Sequence, residues 1–135
     1  MGTIGELISI AGSGLTANRL WMDVISGNIA NANTTRTPEG GPFRRQLVIM
    51  RAKVEGREVR GVEIASIERD PTPPRLVYDP GHPDARPDGY VEYPNVNVVM
   101  ELVDLIAAQR AWEANATVLE TAKSIAQRTI GLLAR

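Results

Sequence analysis

The stretch IGELISIAGSGLTANRLWMDVISGNIANA, Ile4 to Ala32, decides the fold. In it Ile4, Ile8, Ala11, Leu15, Asn18, Met22, Ile25 and Ile29 recur at alternating steps of four and three, the spacing of one seam on a coiled-coil helix. Gly5, Gly12, Gly14 and Gly27 weaken that helix by about 1 kcal/mol each relative to alanine, so it needs an apolar partner. The other end of the chain offers one. Met100, Val103, Ala107, Ala111, Ala114, Val118, Thr121, Ile125 and Leu132 repeat at helical spacing, and from Val98 to Leu133 no proline intervenes. The seam pairing expected from these rows sets Ile4, Ile8, Leu15, Met22 and Ile25 on Val103, Val118, Ile125 and Leu132. Asn18 on the first row either fixes register or faces solvent.

The first helix ends near Asn31 to Asn33, where asparagines precede Thr37-Pro38-Glu39-Gly40-Gly41-Pro42, a run of turn residues. Four short β-type pieces follow: Leu47 to Met50, Val59 to Ile67, Leu76 to Tyr78 and Tyr90 to Tyr93. The charges scattered among them, Arg44, Arg45, Arg51, Lys53, Arg57 and Arg60 with Glu55, Glu58 and Glu63 mixed in, read as the solvated side of a thin sheet or as a binding face. The Pro/Gly-rich segments 70–74 and 79–89 are loops, mobile or docked on a partner. Pro94-Asn95-Val96-Asn97 opens the last helix, with Asn97 its N-cap and Glu101 and Asp104 near its positive end. The fold class is therefore mainly α with a small β insert: long N- and C-terminal helices paired as a coiled coil, and short antiparallel hairpins between them. The segments are 1–35 (N-terminal coiled-coil helix), 36–94 (β-rich insert) and 95–135 (C-terminal coiled-coil helix), the two helices forming one structural domain.

Composition excludes more than it suggests. With 15 basic and 16 acidic residues the net charge of −1 gives no field for nucleic acid or an anionic membrane. Aromatic residues are 4% of the chain, so burial must come from aliphatic and alanine rows. Cysteine is absent, which removes disulfides, thiolate zinc sites and thiol catalysis together. No apolar run reaches the roughly 18 residues of a membrane span, and no secretory signal precedes the first helix. His82, the single histidine, stands in a Pro/Gly loop without a nucleophile motif, and the carboxylates Asp79, Asp84 and Asp88 lack the spacing of a calcium loop. No catalytic, cofactor-binding or metal-ligating residue is assigned. An adaptor or secretion chaperone with client-binding helices is the alternative class, distinguished by helices ordered along their whole length in the free protein.

Four blocks carry a resemblance. Residues 25–34, with Ser26, Asn28, Ile29, Ala30, Asn31, Asn33 and Thr34, are similar to the signature that closes the first helix of bacterial flagellar rod and hook proteins. Leu76 to Pro83 with Gly89-Tyr90-Val91, then Pro94 to Val103, and Arg110 to Asn115 follow in order, so nearly the whole chain resembles that axial family. Gly27 stands where alanine is usual and Trp112 where tyrosine is frequent. The resemblance implies a non-enzymatic proximal rod subunit, exported by the flagellar type III apparatus without a cleaved signal. It implies assembly in the periplasmic part of the basal body with copies of itself, with FliE and FlgB on the membrane side and with FlgF and FlgG distally, no nucleic acid being bound and no membrane insertion occurring. In such proteins the terminal helices line the inside of a helical tube. Residues 28–34 are assigned to ending the helix and touching a neighbour, or to the cap alone.

Overall fold

A computed structural model describes residues 3–134. Its elements in order are α1 (Ile4–Ala30), β1 (Gln46–Glu55), β2 (Glu58–Arg69), β3 (Arg75–Tyr78), β4 (Tyr90–Tyr93) and α2 (Val98–Leu133). Two long helices lie side by side and two antiparallel ribbons, β1–β2 and β3–β4, are inserted between them. Both helix starts are capped as their sequences require. The Glu6 N–H donates to Thr3 Oγ1 at 3.0 Å while the Thr3 N–H donates to Glu6 Oε2 at 3.3 Å. At α2 the Met100 N–H donates to Asn97 Oδ1 at 3.3 Å. Helix α1 stops at Asn31, whose side-chain amide donates to the Gly27 carbonyl at 2.8 Å, joining the Asn31 N–H, which donates to the same oxygen at 3.1 Å.

The helices run antiparallel. Asn28 meets Glu101, and Gly14 meets Asn115, equal steps taken in opposite directions. At about 1.5 Å per residue α1 is about 40 Å long and α2 about 54 Å, so the last turns of α2 reach past the start of α1. The row of α2 that faces α1 consists of Glu101, Leu105, Ala108, Asn115, Leu119, Ala122 and Ala126, all buried or half-buried.

This corrects the expected seam pairing. Of the α2 row chosen on apolar spacing, only Ala111 is half-buried. Met100, Val103, Ala107, Ala114, Val118, Thr121, Ile125 and Leu132 are exposed, so Val103, Val118, Ile125 and Leu132 are not the partners of α1 within the subunit. The physical reason is size. An apolar count favours large side chains, whereas the facing row of α2 is mostly alanine, asparagine and one glutamate, with Leu105 and Leu119 as its only large apolar members. A Cβ added at Gly14 would lie 2.6 Å from Asn115 Nδ2, which shows how close the contact is. The large apolar row is thereby turned outward by one residue, about 100° around the helix. On α1, Ala11, Asn18 and Ile25 are buried, and Ile4, Ile8, Leu15, Met22 and Ile29 are half-buried.

α1 also carries the first ribbon. It crosses one face from the base of β1, where Asn28 bonds Gln46, to β2, where the Val62 N–H donates to Ser13 Oγ at 3.1 Å. Arg60 pairs with Glu6 at 3.1 Å beyond that point. Gly61, at φ 125°, lets β2 approach the helix where a side chain would collide with Ser13. The second ribbon buries Val91 and Pro94 and stacks Tyr78 edge-on against Tyr90 with centroids 5.2 Å apart. Residues 79–89 form a closed loop: the Asp79 N–H donates to the Gly89 carbonyl at 2.9 Å and the Arg86 N–H to the Tyr90 carbonyl at 2.8 Å. Thr35 and Arg36 fasten it to the segment after α1 through Asp84.

Candidate assembly surfaces

The most connected point in the molecule is a polar clamp where α1 ends, β1 begins and α2 begins. Asn28 is 1% exposed. Its Oδ1 accepts the Gln46 N–H at 2.9 Å, and its Nδ2 donates to the Gln46 carbonyl at 3.0 Å and to Glu101 Oε2 at 3.2 Å. The side-chain amide thus stands in for one residue of a neighbouring strand. Glu101, also 1% exposed, takes an ion pair from Arg45 Nε. Arg45 reaches Asp70 at 3.1 Å and Asp104 at 3.6 Å as well. Asn95 completes the set, accepting the Arg45 N–H at 2.8 Å and donating to the carbonyls of Asp70 at 3.2 Å and Thr72 at 2.9 Å.

A buried carboxylate is tolerated only when it is paired and hydrogen-bonded, and this one is both. The electrostatics agree. The Thr72 hydroxyl and N–H, with Arg45 behind them, hold the Asp70 carboxyl below its ordinary value. Burial pulls the Arg45 guanidinium down, but the hydrogen bonds it donates to Glu101 and Asp70, with the charges of those carboxylates, outweigh it and leave the group above its usual value.

The residues of the signature divide between this clamp and the surface. Asn28, Asn31 and Thr34 turn inward: Asn31 caps α1, and Thr34 donates its hydroxyl to Asn31 Oδ1 at 3.1 Å. Ser26, Ala30 and Asn33 are exposed and Ile29 is half-buried. The residues that answer Asn28 were not singled out by sequence reasoning. Glu101 reads there as a helix-dipole residue, Arg45 as one charge of a solvated face, and Asn95 as part of a helix opening. None has a local signal, because each acts on a segment remote in sequence.

The second surface is the outer side of α2. Val99, Met100, Val103 and Ile106 are 68%, 59%, 56% and 53% exposed, and Val118, Ile125 and Leu132 continue the series toward its end. Trp112, exposed, borders an open groove with Arg19, Met22 and Leu105. Apolar surface of this extent on a folded chain marks a place where another chain packs.

Among the described residues no catalytic arrangement competes with these two features. His82 is half-buried; its Nδ1 accepts the Asp84 N–H at 3.0 Å, and its ring lies edge-on to Tyr93. Among the described residues no group of three or more histidine or acidic side chains is placed to hold a metal ion, and no helix is long and apolar enough to cross a membrane.

Comparison with known proteins points one way. Residues 8–36 match the family described as flagella basal body rod protein, and residues 88–132 match the family described as flagellar basal body rod FlgEFG protein C-terminal. The flagellar basal-body rod protein FlgC of Borreliella burgdorferi is 46% identical over 144 aligned residues, covering 93% of this chain and 95% of the relative. That of Salmonella typhimurium is 40% identical over 94% of this chain and 96% of its own. That of Bacillus subtilis is 36% identical, with 91% and 93% covered. The two family matches take in most of each helix, the second also β4, and leave out the first ribbon.

Proposed function

The chain belongs to the FlgC family of flagellar basal-body rod proteins, and from that premise we propose that it polymerises through the outer face of α2 into the proximal rod. The family is structural, not enzymatic, and membership places the chain in the basal body as a rod component that assembles with other rod proteins. The finer reading is the proposal: the subunit belongs to the drive shaft that carries torque from the membrane ring to the distal rod and hook. It meets FliE and FlgB on the membrane side, FlgF and FlgG distally, and its own copies alongside. It reaches the periplasmic space through the type III export apparatus without a cleaved signal. Residues 1–35 and 95–135 act as one structural unit, with 36–94 as its insert.

One observation carries this reading. Of the 36 residues of α2, only Glu101, Ala108 and Ala122 are buried. A helix of that length, strongly apolar along one side and covered only along another, gains its remaining stabilisation from neighbouring subunits. The row Met100, Val103, Ala107, Ala114, Val118, Ile125 and Leu132, displaced from the intramolecular contact, is assigned to that intermolecular one. The row Ile4, Ile8, Ala11, Leu15, Asn18, Met22, Ile25 and Ile29 is the inner support that holds α2 in place. Four glycines in α1 keep the unassembled helix weak, which suits a chain that is threaded and then folds at the growing end.

The test is deletion of the gene in its host, followed by electron microscopy of isolated basal bodies. Particles that stop at the membrane ring, with rod and hook restored by the wild-type gene but not by a Val103→Asp copy, are expected. Complete flagella in the deletion strain would overturn the proposal.

A further inference from the structure

The β1–β2 ribbon has two edges, and α1 covers them unequally. Val62 gives its N–H to Ser13 Oγ, so that group points away from β1. In an antiparallel pair, opposed residues exchange both backbone bonds or neither. Ala52, the register partner of Val62, therefore also turns its N–H and C=O outward. Gln46 supplies an independent landmark, since both of its outward groups are taken by Asn28. Between Ile49 and Met50 the register advances one residue on β1 for two on β2, and between Ala52 and Val54 it advances two for three. Both extra residues lie on β2, and β1 is regular. Val48, Met50, Ala52 and Val54 thus present their backbone groups along one outer edge. Among the described residues no hydrogen bond reaches that edge beyond Gln46.

Edge strands are ordinarily blunted by bulges, proline or a covering element. β2 has two bulges, the Ser13 hydroxyl and the Glu6–Arg60 pair. Beyond Gln46, β1 has none of these. Its protection is charge alone, from Arg51 and Lys53 on the face opposite Met50, Ala52 and Val54. Arg51 is already paired with Glu63 at 2.9 Å, whereas Lys53 is exposed and makes no ion pair among the described residues.

We propose that the β1 edge from Val48 to Glu55 receives an extended strand from a different protein, one whose side chains alternate between aliphatic and acidic. Main-chain bonds to Met50, Ala52 and Val54 supply the register. Aliphatic side chains of the incoming strand continue the face on which Val54 is 57% and Val59 62% exposed. Its carboxylates fall beside Arg51 and Lys53 on the other face. A second copy of this chain is the wrong occupant: antiparallel β1 against β1 sets Arg51 and Lys53 against their own like, and the β2 edge of a copy lies under α1. The surface is separate from the outer face of α2, so it stands or falls apart from polymerisation.

The experiment uses the whole free subunit and a fluorescein-labelled peptide alternating valine and isoleucine with glutamate, read by anisotropy. Saturable binding is expected, about tenfold weaker when lysine replaces glutamate, as two or three reversed cross-strand charge pairs imply. Lys53→Glu should reverse that preference. Ala52→Pro should abolish binding while leaving thermal unfolding nearly unchanged, because the Ala52 N–H takes no part in the ladder with β2. Amide exchange should slow at Met50, Ala52 and Val54 on binding. If Ala52→Pro fails to fold, the Lys53→Glu reversal and the amide protection still decide. Equal binding of both peptides, protection elsewhere, or no binding at all overturns the proposal, and so does self-association of the subunit through β1.

Discussion

Replacing Asn28 by aspartate changes one side-chain atom group, and the clamp geometry predicts that it destabilises the subunit more than replacement by alanine. Asn28→Ala removes three hydrogen bonds, at about 1 kcal/mol each net, so roughly 3 kcal/mol is expected. Asn28→Asp keeps the bond from the Gln46 N–H, but turns two donated bonds into contacts between acceptors, one with the Gln46 carbonyl and one with Glu101 Oε2 at 3.2 Å. Two charges at that distance repel by about 5 kcal/mol at an effective dielectric near 20. Arg45 beside Glu101 offsets about half, so with two bonds lost the total is about 4 to 5 kcal/mol near pH 7. Like charge and burial raise the pKa of the new carboxyl in the folded state above its unfolded value of about 3.9. A group raised in this way stabilises the fold below its unfolded value, and that stabilisation is lost as pH rises through the folded one. The gap between the two variants should therefore shrink or reverse from about pH 7 to about pH 5, by at most about 2.7 kcal/mol over two units. Urea unfolding followed by circular dichroism at both pH values measures it. An aspartate variant milder than alanine near pH 7, or a gap that ignores pH, would refute the assigned orientation of the Asn28 amide.

Gly14→Ala should destabilise by about 1 to 2 kcal/mol despite a better helix propensity, because its Cβ meets Asn115. Gly12→Ala and Gly27→Ala, which meet nothing within 4 Å, should each add up to about 1 kcal/mol; thermal unfolding of the three variants separates the cases. Thr35 and then Arg36 hold the Asp84 carboxyl below its usual value, so its contribution is present at neutral pH and lost as pH falls through the folded value. The stability difference between wild type and Asp84→Asn should accordingly be full near pH 7 and close below about pH 4, in denaturant titrations across that range. Val103→Asp, on the exposed face of α2, should change subunit stability by less than about 0.5 kcal/mol yet abolish swarming on soft agar; a motile variant would remove that face from the assembly contact.

Much of the architecture was legible from local chemistry. Asn31 and Asn97 mark helix ends by side chains that reach only three or four residues, and α2 begins where proline and asparagine predict. The strands lie where β-branched and aromatic residues cluster; β4 keeps its expected bounds, whereas β1 to β3 are longer than their apolar kernels because pairing extends into charged flanks such as Arg51 to Glu55. The facing of α2 was not legible, since periodicity reports where large apolar side chains gather and not which neighbour they meet. In an assembling subunit those answers differ: small residues such as Ala108 and Ala122 serve the intramolecular contact and large ones such as Val103 are left outside. The clamp was half legible. Asn28 belongs to a recognisable signature, but its partners Gln46 and Glu101 lie 18 and 73 positions away, beyond any local pattern.

That last separation sets a schedule. A ribosome adding about 5 to 20 residues per second needs roughly 4 to 15 seconds to go from Asn28 to Glu101. Throughout that interval α1 exists without its opposite helix, and its glycines leave it unable to persist as an isolated segment. Seating Asn28 is therefore a late event, and Glu101 acts as a mark of completeness: a nascent or broken chain that stops short of it has every residue of the signature and still cannot close on them.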